Sequence, residues 1–475
     1  MPDAVVVGAG PNGLAAAATL ARAGVHVAVY EANATVGGGA RTDELTLPGF
    51  RHDICSAVHP LGVGSPIFRS LPLEQHGLEW VHPDVPLAHP LPDGTAIVLS
   101  RSIDETVASL EAVDARRYRR MVAPFAERWD DLAAGVLGAF SGGIPRDPLL
   151  VARFGVRALL PIDVLVRRFG GKRAPMLLAG MAGHAITPLS SPFTSGVALL
   201  FAAAGHAVGW PFPRGGAQSL SDALASYVRS LGGEVRTGAR IESVRDLPAA
   251  DAYLFDTTPE AFAAIVGARL RRRETRALSR YRHGPAAFKV DYALDGPVPW
   301  AAQDCHRAGT VHVGASLDEI RAALHAVHRG AAPDRPLLLT AQQSRFDPTR
   351  APDGSQTFWV YGHVPFGWTG DLTDAIEQQL ERFAPGFRDR VLARAVTGPP
   401  GMEAKNANLV GGDISNGRML GVQTVLRPWK KLVPYRAADP ALFLCSAATP
   451  PGPGVHGMSG YNAAQAALRS LRARP

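Results

Sequence analysis

Four apolar residues, Ala4-Val5-Val6-Val7, open the chain, and a short β-branched run of this kind reads as a buried strand. A glycine turn follows, then an Ala- and Leu-rich run from Asn12 to Ala23 that stops at Gly24, the pattern of a helix with a C-terminal glycine. Val25 to Tyr30 reads as a second buried strand, so the opening segment predicts a strand–turn–helix–strand unit. Residues from about Phe50 to Leu99 are broken by Pro, Gly and His and read as loops with short strands. From Ser102 to Phe140 the period turns helical, with Asp104 and Glu105 in the first turn, where the helix dipole favours acids. A helix over Ser219 to Ser230 precedes strands at Glu234 to Arg236, near Arg240 to Val244, and at Asp251 to Asp256. Ala286 to Leu294 and Thr357 to Val364 alternate as sheet strands do, and Asp374 to Phe383 reads as a helix. The chain closes with a strand, Ala441 to Cys445, a Gly/Pro loop, and a helix from Met458 to Leu471.

One interval departs from the ordinary mixture of charged and apolar positions. Between Arg173 and Arg214 there is no Lys, Arg, Asp or Glu. Pro175, Pro188, Pro192 and several Ser and Thr interrupt it, which excludes a convincing membrane span. It reads either as a buried helical core, or as the wall of an apolar substrate tunnel or a face that rests on a membrane.

With 475 residues the chain is too long for one simple core and predicts two intertwined domains with a helical third part. The net charge of +7 is spread along the sequence rather than gathered in an arm, which argues against a nucleic-acid partner. Its densest run, Arg269 to Arg273, reads as a solvated helix face. The surplus also suits peripheral contact with anionic lipid, at roughly 1 kcal/mol per basic residue near the surface. Cys55, Cys305 and Cys445 form neither a metal-ligand spacing nor a redox pair, so no metal site is expected and a reducing, cytoplasmic setting is. No signal peptide is visible.

The glycine turn carries the first chemistry. Gly8-Ala9-Gly10-Pro11-Asn12-Gly13 follows a strand and opens a helix. Its glycines allow the tight turn, the approach of backbone to a pyrophosphate, and close helix–strand packing, while the helix start offers free N–H groups. Glu31 ends the second strand where a carboxylate can bond a ribose hydroxyl, with Ala32 beside it. NAD and FAD both fit this turn. Two features favour FAD: a second glycine cluster, Gly37-Gly38-Gly39-Ala40-Arg41-Thr42, whose arginine can reach a pyrophosphate or flavin, and a C-terminal strand–loop–helix, Cys445-Ser446-Ala447 through Gly457-Met458, whose helix start can stabilise negative charge on a reduced ring. A second glycine fingerprint for a nicotinamide cofactor is absent, so oxygen or a quinone is the expected electron acceptor.

These blocks, with Pro213-Arg214-Gly215-Gly216, Gly411-Gly412-Asp413-Ile414 and Gly460-Tyr461-Asn462-Ala463-Ala464, resemble the phytoene-desaturase-like branch of the FAD-dependent amine oxidase superfamily, closest to its pyridine nucleotide-disulphide oxidoreductase domain-containing type. The resemblance spans nearly the whole chain. It implies an α/β fold in which a Rossmann-type, glutathione-reductase-like FAD domain (1–75, 210–285, 412–475) is interleaved with an α+β substrate domain. The latter would comprise a mainly helical lid region (76–209) and a sheet (286–411). It also implies that the strand near Arg240 to Val244, with Ile241, passes the adenine, and that Thr257 borders the cofactor. Ser446 stands where glycine is commoner, and Cys445 lies off the position of covalent attachment, so FAD is expected to be non-covalent.

Flavin takes hydride at N5, leaving the protein to position a C–H bond and exclude water. In similar oxidases a strand lysine holds a water at N5, and Lys289 in Ala286-Ala287-Phe288-Lys289-Val290-Asp291-Tyr292 occupies such a strand; an exposed strand lysine is the plainer alternative. His59 and His456 are candidate bases or structural hydrogen bonders. Tyr361 and His363 face either substrate or solvent, and Trp300, Trp359, Trp368 and Trp429 read as core or cavity lining. The expected activity is a dehydrogenase or desaturase acting on a small lipophilic or natural-product substrate. The alternatives are an amine oxidase releasing peroxide, and a non-catalytic or isomerase FAD protein.

Overall fold

The computed structural model describes residues 1–138, 145–431 and 433–472. Its first sheet is wholly parallel and draws on distant parts of the chain. The order is Leu442–Leu444, Ala252–Phe255, Ala4–Val7, Val27–Tyr30, Glu234–Arg236. The three central strands are buried along their whole length, as continuous Val- and Ala-rich runs require when both faces are covered. The opening helix, Pro11–Arg22, and the final helix, Met458–Arg472, pack together on this sheet.

That packing leaves no room for side chains at two points. A Cβ on Gly13 would lie 2.0 Å from the Gly8 carbonyl oxygen. A Cβ on Gly460 would lie 1.8 Å from the Asn12 carbonyl oxygen. Both contacts are with backbone, which cannot rotate away.

The second sheet is mixed. Its order is Val391–Thr397, Ala286–Leu294, Gln356–Val364, Leu338–Ala341, Ala308–Val313, Val85–Pro90, Ala96–Leu99, and the pairing is antiparallel except between Ala308–Val313 and Val85–Pro90. One face is apolar: Phe288, Val290, Tyr292, Phe358 and Val360 join one core cluster. The other carries Lys289, Asp291, Trp359, Tyr361, His363, Thr310 and His312, by the two-residue alternation of a strand. Helices Arg173–Ala182 and Thr194–Ala207, from the uncharged interval, cover that side with helix Pro148–Ala158.

Three sequence expectations need correction. Arg240 to Val244 forms no strand. Ser243 and Asp246 cap each other's backbone around a one-turn 3₁₀ helix, Val244–Asp246, and these local bonds displace extended pairing. The second sheet is not confined to 286–411, because two of the short strands read in the stretch to Leu99, Val85–Pro90 and Ala96–Leu99, complete it, so 76–209 is not only helical. The helical run from Ser102 divides into Ile103–Ala108, Ala112–Ala126 and Trp129–Leu137, and its last residues, 139–140, lie outside the described residues. Arg271, Arg272 and Arg273 are solvated as expected. No helix among the described residues is long and apolar enough to cross a membrane.

Gly460→Ala should therefore lower stability by about 1–3 kcal/mol through overpacking. Gly155→Ala, on a helix with nothing within 4 Å of the added atom, should be neutral or stabilising. Urea denaturation of the two variants beside the parent checks both.

Candidate active site

A cavity of 590 Å³ begins at the glycine turn and ends against the mixed sheet. Gly10, Pro11 and Asn12 of the turn line it, as do Gly38, Gly39 and Ala40 of the second glycine cluster. From the C-terminal loop come Ala447, Gly454, Val455 and His456. Lys289, Trp359 and Tyr361 face it from the sheet, and His184, Phe193, Leu200 and Phe201 from the uncharged interval. That interval is thus both buried core and cavity wall.

The turn itself is held from behind. Glu31 is buried; one carboxylate oxygen accepts from Ala9 N at 2.8 Å, the other from Asn33 N and Nδ2. Gly37 N donates to the Ala9 carbonyl oxygen, which docks the second glycine cluster on the first. A Cβ on Gly38 would come within 3.1 Å of Gly10 Cα, so the two backbones approach as only glycines permit. Arg41 is buried and donates to the carbonyl oxygens of Gly38 and Lys405, tying this cluster to the segment after the Val391–Thr397 strand.

Several expected cofactor residues serve as supports instead. Thr42 donates its hydroxyl to Asp53 and accepts from Gln218 N. Asp53 also accepts from Ala217 N, Gln343 and Arg350, a buried network in which the Arg350 charge holds the carboxyl below its usual range despite burial. Ser446 accepts from Ala448 N inside its own loop. Met458 N, expected to face a flavin, donates to His456 Nδ1 at 3.0 Å, so that amide is already satisfied by a side chain. Gly457 packs against Phe68 and Ala15. Gly8, Gly13, Ala32, Ile241 and Thr257 are not among the residues lining the cavity.

The three candidate catalytic side chains do converge on the cavity wall. Lys289 is fully buried, not the exposed strand lysine that was the alternative, and it pairs with Asp291 two residues along the same face. Burial pushes the Asp291 carboxyl up, partly offset by the Lys289 charge. His52 Nδ1 lies 3.5 Å from the other Asp291 oxygen with no hydrogen bond between them, and its Nε2 is 2.8 Å from Thr46 Oγ1. His59 and His456 are neutral at pH 7, because burial lowers each to about 4. His59 Nε2 meets Ser56 Oγ at 3.1 Å, while His456 Nδ1 is an acceptor and so carries its proton on Nε2. Trp300 and Trp429 bond inside the core, to Gln342 and the Pro434 carbonyl, and His363 is buried on the Tyr361 face with both ring nitrogens unpartnered.

Asp256 was missed by the sequence reading, which took it only as a strand end. It closes the strand beside the glycine turn, lines the cavity, and accepts from Gly13 N at 2.9 Å. Burial, reinforced by the Glu31 charge, raises it to about 7, with the Gly13 bond opposing. A carboxylate leaving a parallel strand toward a phosphate-type turn is the feature that could have flagged it. Among the described residues no group of three or more His, Cys, Asp or Glu can hold a metal ion.

Residues 6–71 match the NAD(P)-binding Rossmann-like domain. Over 99% of its length the chain is 29% identical to pyridine nucleotide-disulfide oxidoreductase domain-containing protein 2 of Mus musculus, covering 94% of that protein. It is 27% identical to hydroxyneurosporene desaturase of Cereibacter sphaeroides, covering 100% of this chain and 99% of the relative. Its fold is similar to a solved oxidoreductase from Methanosarcina mazei, with a TM-score of 0.64, 14% identity, and 98% and 99% of the two chains covered. The glycine turn on its parallel sheet, the mixed sheet facing it across a cavity, and relatives matched end to end agree: the chain is an oxidoreductase, similar over its whole length to the pyridine nucleotide-disulfide oxidoreductase domain-containing proteins and to hydroxyneurosporene desaturase.

Proposed function

We propose that this chain holds FAD non-covalently and works as a dehydrogenase or desaturase on a lipophilic substrate. One observation carries the reading: the cavity joins a phosphate-type glycine turn to a largely apolar chamber, with Lys289 buried in its wall. The residues present fit FAD. Gly10 and Gly38 line the cavity beside the turn, and buried Asn12 Oδ1 in the cavity wall has no partner. Cys445 is buried at the end of its strand, which supports a non-covalent site.

When bound, FAD supplies a hydride acceptor. The chain's own residues do the rest. Leu200, Phe201 and Ile186 bind an apolar body and exclude water. The Lys289 ammonium holds a proton at the cavity wall, and the Asp291 carboxyl beside it holds the ammonium in place. Trp359 and Tyr361 meet edge to face on one strand, with centroids 4.9 Å apart, rather than facing each other across the cavity, which favours this reading over an amine cage. The electron acceptor that fits this reading is oxygen or a quinone.

Purified protein should be yellow and release FAD into the supernatant on denaturation. Anaerobic titration with apolar isoprenoids should bleach the flavin, and amines should not. Bleaching by amines alone overturns the reading.

Lys289→Met should slow flavin reduction and also destabilise the fold by about 3–5 kcal/mol, since Asp291 is left buried without its partner. The double variant Lys289→Met/Asp291→Asn should regain stability without regaining rate. Stopped-flow reduction and thermal melts separate the two effects.

Asp256 sets a pH dependence. Its carboxyl is neutral below about 7 and charged above, beside the amides that would meet phosphate. FAD affinity should be flat below pH 7 and weaken above it, by up to about tenfold per pH unit. Asp256→Asn should flatten the profile. Fluorescence titration of apoprotein with FAD at pH 6 and pH 8.5 measures it.

A further inference from the structure

The face that carries Lys289 extends across the mixed sheet, and hydrogen-bonding groups at its other end lack partners. In register, Lys289 is level with Tyr361, Tyr361 with Leu339, and Leu339 with His312. The next rung reads Asp291, Trp359, Ala341, Thr310. Three strand spacings put Thr310 and His312 about 14 Å from the Lys289 strand.

Thr310 and Trp359 both line the cavity. Thr310 is 5% exposed, and its Oγ1 is buried without a partner; Trp359 Nε1 is buried without one too. An unpaired buried group of this kind costs about 1–3 kcal/mol. Two of them on one cavity wall mark a place where a ligand atom belongs. His184 stands at the same wall, its Nε2 3.1 Å from His312 Nε2. Ala341 pairs with both Thr310 and Trp359 on the sheet, so only a methyl group stands between them.

The chemistry here is polar but uncharged. The helical wall above it is the interval without Lys, Arg, Asp or Glu. Burial keeps His184, His312 and the neighbouring His89 and His363 neutral. A carboxylate would find no cation there, and a pure hydrocarbon would leave both donors unsatisfied.

We propose that this end of the cavity recognises one uncharged oxygen function, a hydroxyl or a carbonyl, on a substrate whose remaining body is apolar. Trp359 Nε1 donates to that oxygen, and the Thr310 hydroxyl donates or accepts beside it. The oxygen then anchors the substrate between the Trp359 strand, one spacing of about 5 Å from the Lys289 strand, and the Thr310 strand, about 14 Å from it, and selects which carbon lies near the reacting end. The inference rests on the lipophilic-substrate reading above and adds the class of substrate.

The test uses FAD-loaded full-length protein and three chain-matched probes, decan-1-ol, decane and decanoate, with binding read from perturbation of the flavin absorbance and from calorimetry. Decan-1-ol should bind about tenfold more tightly than decane, and decanoate should gain nothing over decane. Thr310→Val and Trp359→Phe should each shrink the alcohol-to-alkane ratio toward one while decane affinity changes little. Equal binding of alcohol and alkane by the parent protein overturns the oxygen site alone, as does a ratio that survives both substitutions or a preference for decanoate. If no probe binds although FAD is retained, the lipophilic-substrate reading falls and takes this inference with it.

Discussion

The architecture depends on a backbone-to-backbone contact. The final helix lies so close to the opening helix that Gly460 presses on the Asn12 carbonyl, and the opening helix lies so close to its own strand that Gly13 presses on Gly8. Dispersion and burial at that distance fix the helix start in space. Everything the turn offers follows from it: free amides at a defined spot, Glu31 braced behind the turn, and Gly38 seated against Gly10. A methyl group at either glycine would displace the amides from each other, and the geometry that suits a pyrophosphate would go with them.

The mixed sheet supplies the second half of the site by dividing its two faces. Phe288, Val290, Phe358 and Val360 bury one face in a dry core, which holds the strands in a single register. That register in turn spaces Lys289, Tyr361, Trp359 and Thr310 on the opposite face. Strand alternation therefore does two tasks with one sequence: odd positions from Ala287 to Asp291 face the cavity, and even ones anchor the sheet.

Much of this was legible in the sequence, and unevenly so. The opening βαβ unit, the strands from Ala286 and Thr357, and the last helix follow from strong periodicity with glycine punctuation, and the structure places them within a few residues of where the pattern ends. The Ser243–Asp246 cap was not legible as such, because a short alternating run and a capped turn look alike until the bonds are seen. The stretch to Leu99 read as loops with short strands, but the parallel pairing of Val85–Pro90 with Ala308–Val313 left no mark in the local pattern. Among site residues, Lys289, His59 and His456 reach one cavity, whereas Thr42, Ser446 and Met458 spend their hydrogen bonds on the fold. Sequence motifs mark the neighbourhood of a site. Which group faces inward is decided by partners far along the chain, as Asp256 and Thr310 show.

The parallel sheet also carries an order of events. Its strands come from residues 4–30, 234–255 and 442–444, and the helix that closes the turn comes last of all. During synthesis the glycine turn emerges early but lacks its flank until residues 458–472 have been made. The strands at 286–397 and those at 85–99 are complete earlier and can assemble while translation continues. The glycine turn thus takes its final form only when the helix 458–472 packs against it, and loss of that helix would leave the Asn12 end of the turn without its flank.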